Sequence, residues 1–181
     1  MLVIHPNDIT TRVLEGLYLN DERVRVLKEE SPNRDIRSSL HRLPKWERLM
    51  LLGHGSDVGL FSREKDGAEF NRIIVGHPHA FYLRGRSNIV AIWCNADLFA
   101  RKEGLHGLFS GMIISEMMEA EEYKISTSEE ELEMEIPLFV GRLRKLLDDG
   151  IPLWEIPDAM MDSGFERSEL NEFNYSRLYY L

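Results

Sequence analysis

Leu49-Met50-Leu51-Leu52 and Ile89-Val90-Ala91-Ile92-Trp93 are unbroken apolar runs. Each ends abruptly, the first at Gly53-His54-Gly55-Ser56 and the second at Cys94-Asn95-Ala96-Asp97. A strand with one wet face alternates apolar and polar residues, whereas a strand apolar at every position is covered on both faces. A third short run, Leu2-Val3-Ile4, is ended by Pro6-Asn7-Asp8. Buried strands separated by helical patterns predict an α/β fold: a three-layer αβα domain with a mostly parallel central sheet. The strands near 2–5, 48–53 and 88–93 are expected at or beside its centre. The 181 residues read as one domain, with an α/β core over 1–125 and a helical C-terminal part over 126–181 packed on it.

The remaining elements are weaker. Asp8 or Thr10 is placed to cap a helix carrying Val13, Leu14 and Leu17. A strand is expected over 23–27, a short helix from Asp35 to Leu43, a strand from Phe70 to Val75, and a helix from Pro78 to about Arg84. Met112-Ile113-Ile114 fits either a strand or a helix. Thr127 or Ser128 caps a long helix stopped by Gly150, in which Pro137 should produce a kink or a split. Trp154 to Met161 reads as a last short helix, and the aromatic segment Phe173 to Tyr180 as a tail docked on the body.

Charge narrows the function classes. The formal net charge is −9, and phosphate contacts need clustered positive charge, so no nucleic-acid partner is expected. A single cysteine excludes an internal disulfide and a cysteine-based zinc cage. No apolar run reaches the ~18 residues of a membrane span, and the N-terminus lacks the basic lead of a signal peptide. A reducing cytoplasm is the expected compartment. Neither GxGxxG nor a P-loop pattern occurs, and no cofactor is expected.

The chemistry points to the strand ends. In parallel α/β sheets, sites form beyond the C-terminal ends of the strands. His54 and Cys94 stand at two such ends, forty positions apart, which leaves room for a hairpin and a helical crossover between neighbouring strands. A thiol needs a base or cation beside it to react near neutral pH. Gly53 and Gly55 permit a tight turn around the histidine, and the Gly55 N–H is available to a developing oxyanion. The bland alternatives are a buried structural cysteine and a simple Gly-His-Gly turn.

A hydrophobic strand ending in His-Gly, followed by a hydrophobic strand ending in Cys, resembles the caspase-like superfamily of cysteine hydrolases: caspases, legumains, gingipains, clostripains, separases and CHAT domains. The match covers roughly residues 2–115. The resemblance implies a caspase-like fold, of which a flavodoxin-like sheet is the wider alternative, and a peptide or protein substrate. It implies His54 as general base, Cys94 as nucleophile and Gly55 in the oxyanion hole. Where the family commonly has a small residue before the cysteine, this chain has Trp93. A non-catalytic binding or regulatory module on the same scaffold is the competing class. The whole chain is also similar to an uncharacterised family of bacterial proteins, a resemblance that supplies no activity.

Asp57, Asp97 and Glu116 follow the apolar runs and are candidate substrate-binding carboxylates. Together they would make an acidic crevice preferring a cationic side chain beside the scissile bond. Their other reading is as surface carboxylates. His77-Pro78-His79, with His54 and Asp57, forms a candidate metal set, but its spacing matches no strong metal motif and no metal is expected. Nine Glu and one Lys between Glu116 and Glu135 read as a solvated helix face or a contact for a basic partner. The methionines read as core or interface filler.

Overall fold

The computed structural model describes residues 1–6, 8–19, 21–28, 31–62 and 72–181. In chain order its strands are β1 (Leu2–Ile4), β2 (Arg25–Leu27), β3 (Leu49–Leu52), β4 (Gly55–Ser56), β5 (Gly59–Ser62), β6 (Arg72–Gly76), β7 (Ile89–Ile92), β8 (Leu108–Ser110) and β9 (Leu178–Tyr180). Its helices are α1 (Asn33–Arg42), α2 (Ala80–Leu83), α3 (Ala96–Glu103), α4 (Met117–Tyr123), α5 (Glu129–Asp148), α6 (Ile156–Met161) and α7 (Glu169–Tyr175). The main sheet has the order β2-β1-β3-β7-β8-β9. Its first five strands run parallel, and β9 pairs antiparallel with β8. The three unbroken apolar runs thus stand side by side as β1, β3 and β7.

Side-chain alternation divides these strands between two cores. Leu2, Ile4, Leu49, Leu51, Ile89 and Ala91 pack with Ile36 and Leu40 of α1, Leu83 of α2 and Phe99 of α3. Val3, Met50, Leu52, Val90 and Ile92 pack with Phe139, Val140, Leu143 and Leu147 of α5, with Ile156 and Met160 of α6, and with Tyr175 of α7. The fold is therefore a three-layer αβα arrangement. A second sheet, the antiparallel β4-β5-β6, lies on the α1–α3 side, where Leu60, Ile74 and Val75 join that core. Among the described residues no helix is long and apolar enough to cross a membrane.

Several elements differ from expectation. The segment bearing Val13, Leu14 and Leu17 is a 3-10 helix, Arg12–Leu17, with no side-chain cap. Asp8 Oδ1 instead accepts the Thr10 N–H. Met112-Ile113-Ile114, open to strand or helix in the sequence, is neither; the strand of this region lies earlier, as β8. Of the kink or split expected at Pro137, the split does not occur: α5 is continuous from Glu129 to Asp148. Pro137 and Glu133 are both exposed, so the carbonyl deprived of its partner faces water. The C-terminal part is not wholly helical, since its aromatic tail adds β9 to the sheet. The expected strand start at Phe70 lies outside the described residues.

Candidate functional site

The connections diverge between β1 and β3. The 3-10 helix after β1 packs on the α5 face through Leu17, whereas α1, which leads into β3, packs on the opposite face. Such divergence opens a crevice at the C-terminal strand ends. Leu52 of β3 is directly opposite Ile92 of β7, so His54 and Cys94 leave the sheet at equivalent positions on adjacent strands.

Both side chains line one cavity of about 50 Å³, together with Thr10, Thr11, Gly53 and Ser115. Its other walls are mostly apolar: Val13, Leu14, Ile92, Ile113, Ile136, Phe139 and Val140. That volume admits a few waters or a small side chain. Trp93 lines it as well, but its indole packs elsewhere. The strand alternation turns the indole to the opposite core, against Phe99, where its Nε1–H donates to the Ser56 carbonyl at 3.0 Å. The bulky residue before the cysteine is thereby directed away from the thiol.

The end of β7 is held from the neighbouring strand. Fully buried Ser110 accepts the Trp93 N–H at 3.0 Å and donates to the Trp93 carbonyl at 2.8 Å. Asn95 then takes a left-handed conformation (φ 66°) and starts α3 immediately after Cys94. Asn is among the few non-glycine residues that tolerate this region.

His54 is held by its own chain of contacts. Thr10 Oγ1 donates to Asp8 Oδ1 at 2.7 Å and lies 2.6 Å from His54 Nε2. A hydroxyl has one proton, so Thr10 accepts from His54 Nε2–H. In that arrangement Nδ1 is the basic nitrogen of the neutral ring. Asp8 Oδ1, 3.8 Å from Nε2, also stabilises the imidazolium.

Cys94 is in the opposite electrostatic state. Burial, and then the Glu119 charge, push its thiol up to about 11. The sulfur lies 4.0 Å from Glu119 Oε1. Glu119 is positioned by Oε2, which accepts the Ser115 and Glu116 backbone N–H groups and the Ser115 hydroxyl. The resting thiol is protonated. Glu119→Gln keeps an acceptor but removes the charge, so it is expected to lower the midpoint of the pH–alkylation curve of Cys94, as read by iodoacetamide labelling from pH 7 to 11.

His5, just past β1, forms the layer beneath. Its Nδ1 meets the Tyr18 hydroxyl at 3.0 Å and its Nε2 meets Thr11 Oγ1 at 3.3 Å. Burial lowers its pKa from 6.5 to about 4, against the nearby Glu15 charge. A histidine whose pKa is depressed in the folded state contributes stability that is full above the unfolded value of 6.5 and is lost as pH falls through about 4. Urea unfolding at pH 7 and pH 4 should differ by on the order of 3 kcal/mol from this group. His5→Gln is expected to shrink that difference.

None of the carboxylates expected around the site lines this cavity, although the Glu116 charge reaches Cys94. Asp57 lines a separate cavity of about 290 Å³ on the α3 side. Asp97 is buried in the first turn of α3, 3.8 Å from Arg101, and Glu116 sits at the start of α4. Gly55 is not a lining residue either. A Cβ there would lie 2.3 Å from Trp93 Cδ1 and 2.5 Å from the Gly59 carbonyl oxygen, so packing accounts for this glycine.

The expected histidine pair is also divided. His77 Nδ1 pairs with Glu103 at 2.8 Å, while His79 receives the Gly76 N–H and contacts Asn33 Oδ1. Neither lines the His54 cavity, and among the described residues no group of three His, Cys, Asp or Glu is placed to hold a metal ion. Sequence reading missed Thr10 as a partner of His54, and also missed Ser110 and Glu119. Only Thr10 carried a signal, as a hydroxyl residue in the loop after a buried strand.

No protein-family model matches the chain, and no curated protein matches it. The class is thus defined by topology and site: an αβα protein with a predominantly parallel sheet, whose C-terminal strand ends carry a histidine and a cysteine in one small, largely apolar cavity.

Proposed function

We propose that the chain is a caspase-like cysteine hydrolase acting on a peptide amide, with Cys94 as nucleophile and His54 as proton carrier. The observation that carries this reading is their equivalent placement past the paired strands β3 and β7, with both lining one cavity. Cys94 Sγ attacks the carbonyl carbon as the thiol proton passes to His54. The resulting imidazolium protonates the leaving amine, and water hydrolyses the thioester. Because the thiol rests protonated, proton transfer accompanies attack instead of preceding it. The apolar walls favour a small apolar residue beside the scissile bond, in place of the cationic one expected from the carboxylates.

The high thiol pKa favours a second reading, a binding or regulatory module without catalysis. Fluorogenic peptide amides varied at the residue before the bond separate the two. Turnover after Ala or Val, lost in Cys94→Ala, supports the hydrolase. No turnover across the panel, with Cys94 alkylated no faster than a free thiol throughout pH 6–9, supports the module.

A further inference from the structure

A second cavity, of about 240 Å³, lies at the other edge of the sheet, beyond the N-terminal ends of β3 and β7. Arg48 immediately precedes β3, Asn88 immediately precedes β7, and Arg144 and Asp148 come from the last turns of α5; all four line it. The floor is apolar, with Met50 and Leu147.

Arg48 is half-buried and only partly used. Its Nε donates to Asn88 Oδ1 at 3.1 Å. Among the described residues its two terminal nitrogens have no hydrogen bond or ion pair. They are not among the buried atoms lacking a partner, so they are accessible, and Arg48 lines the cavity. Arg144 is engaged at Nε by Asp148 (2.5 Å) and at Nη1 by the Leu17 carbonyl (2.6 Å), which leaves Nη2. Burial lowers the Arg48 pKa, with Asp148 opposing the shift and Arg144 adding to it. The Asp148 charge offsets part of that burial, but no carboxylate oxygen forms an ion pair with the Arg48 terminal nitrogens among the described residues. The Arg48 fork of unused donors matches the paired oxygens of a carboxylate or phosphate.

We propose that this cavity is a binding site for a small oxyanion, held bidentately by the terminal nitrogens of Arg48 with Arg144 as the second cation. The volume is below the ~300 Å³ at which drug-sized sites begin, so the ligand is a compact phosphate- or carboxylate-bearing molecule. Asp21 and Asp148 also line the cavity, and Asp148, paired with Arg144 at 2.5 Å, competes with the anion for the two cations. The site is separate from the His54–Cys94 cavity and does not depend on hydrolysis.

Calorimetric titration of the intact protein with inorganic phosphate and with succinate, at fixed ionic strength in chloride, tests the assignment. Saturable binding of at least one anion is expected, and which one binds identifies the headgroup. Arg48→Gln should weaken it by about tenfold or more, because a charge-assisted pair of bonds is lost. Asp148→Asn removes a competing carboxylate and should tighten it severalfold, which keeps the test decisive if Arg48→Gln does not fold. Absence of saturable binding by either anion overturns the proposal, as does binding that a folded Arg48→Gln or Asp148→Asn leaves unchanged.

Discussion

Replacing His54 by alanine is expected to reduce kcat on a cleaved peptide amide by about 10² to 10⁴, the usual contribution of a positioned acid–base group. In the proposed mechanism Cys94 starts as a protonated thiol, so the histidine both removes that proton and returns it to the leaving amine. Thr10→Val should produce a smaller loss, about tenfold, confined to kcat. It leaves the apolar walls in place but removes the hydroxyl that His54 Nε2 contacts. Steady-state kinetics on both variants, beside Cys94→Ala, reads the split. Equal rates for the wild type and His54→Ala would contradict the assigned role.

Arg86→Ala is expected to cost about 3–5 kcal/mol of folding stability, a large share of the ~5–15 kcal/mol typical of a domain. Arg86 is 4% exposed, and its guanidinium is spent on backbone carbonyls: Tyr82 from Nε (2.9 Å), Pro44 from Nη1 (2.9 Å), and Leu40 and Leu43 from Nη2 (2.8 and 2.7 Å). Leu40 lies in the last turn of α1 and Leu43 just beyond it, so the cation satisfies carbonyls at the negative end of that helix. Truncation removes the donor from all four carbonyls at once. Arg86→Lys should recover only part of the loss, because an ammonium has no planar fork. Guanidinium chloride unfolding curves measure both.

The parts of this fold that were legible in the sequence are those where one physical demand dominates. β1, β3 and β7 are apolar at every position because both faces are buried, and that pattern is readable residue by residue. The two strand-end residues followed from them, since β3 and β7 are neighbours. Elsewhere tertiary partners decided the outcome. Ser110 is fully buried in β8, yet a lone serine reads as a break in an apolar strand. Its hydroxyl is satisfied by both backbone groups of Trp93, which no local pattern reveals. Glu119 belongs to an acidic stretch that reads as a solvated face, but three donors and the sulfur of Cys94 surround it. Asp8 and Thr10 have the composition of a helix cap and are used instead on each other and on His54. Asp57, Asp97 and Glu116 failed to converge because following a strand in sequence does not determine which side of the sheet the chain leaves by.

The antiparallel pairing of β9 with β8 has a consequence for folding. Leu108 must find Tyr180 across α4 to α7, so the last strand is expected to dock late. Contacts between segments so distant along the chain form late and slowly. The same strand is short and half-exposed, which puts it at the low end of local unfolding free energies. Amide protons of Leu178 to Tyr180 should therefore exchange with solvent sooner than those of β3 or β7. Each opening bares the backbone edge of β8, a row of donors and acceptors on which another copy could pair. Crowded, partly folded chains of this protein would be expected to associate first through that edge.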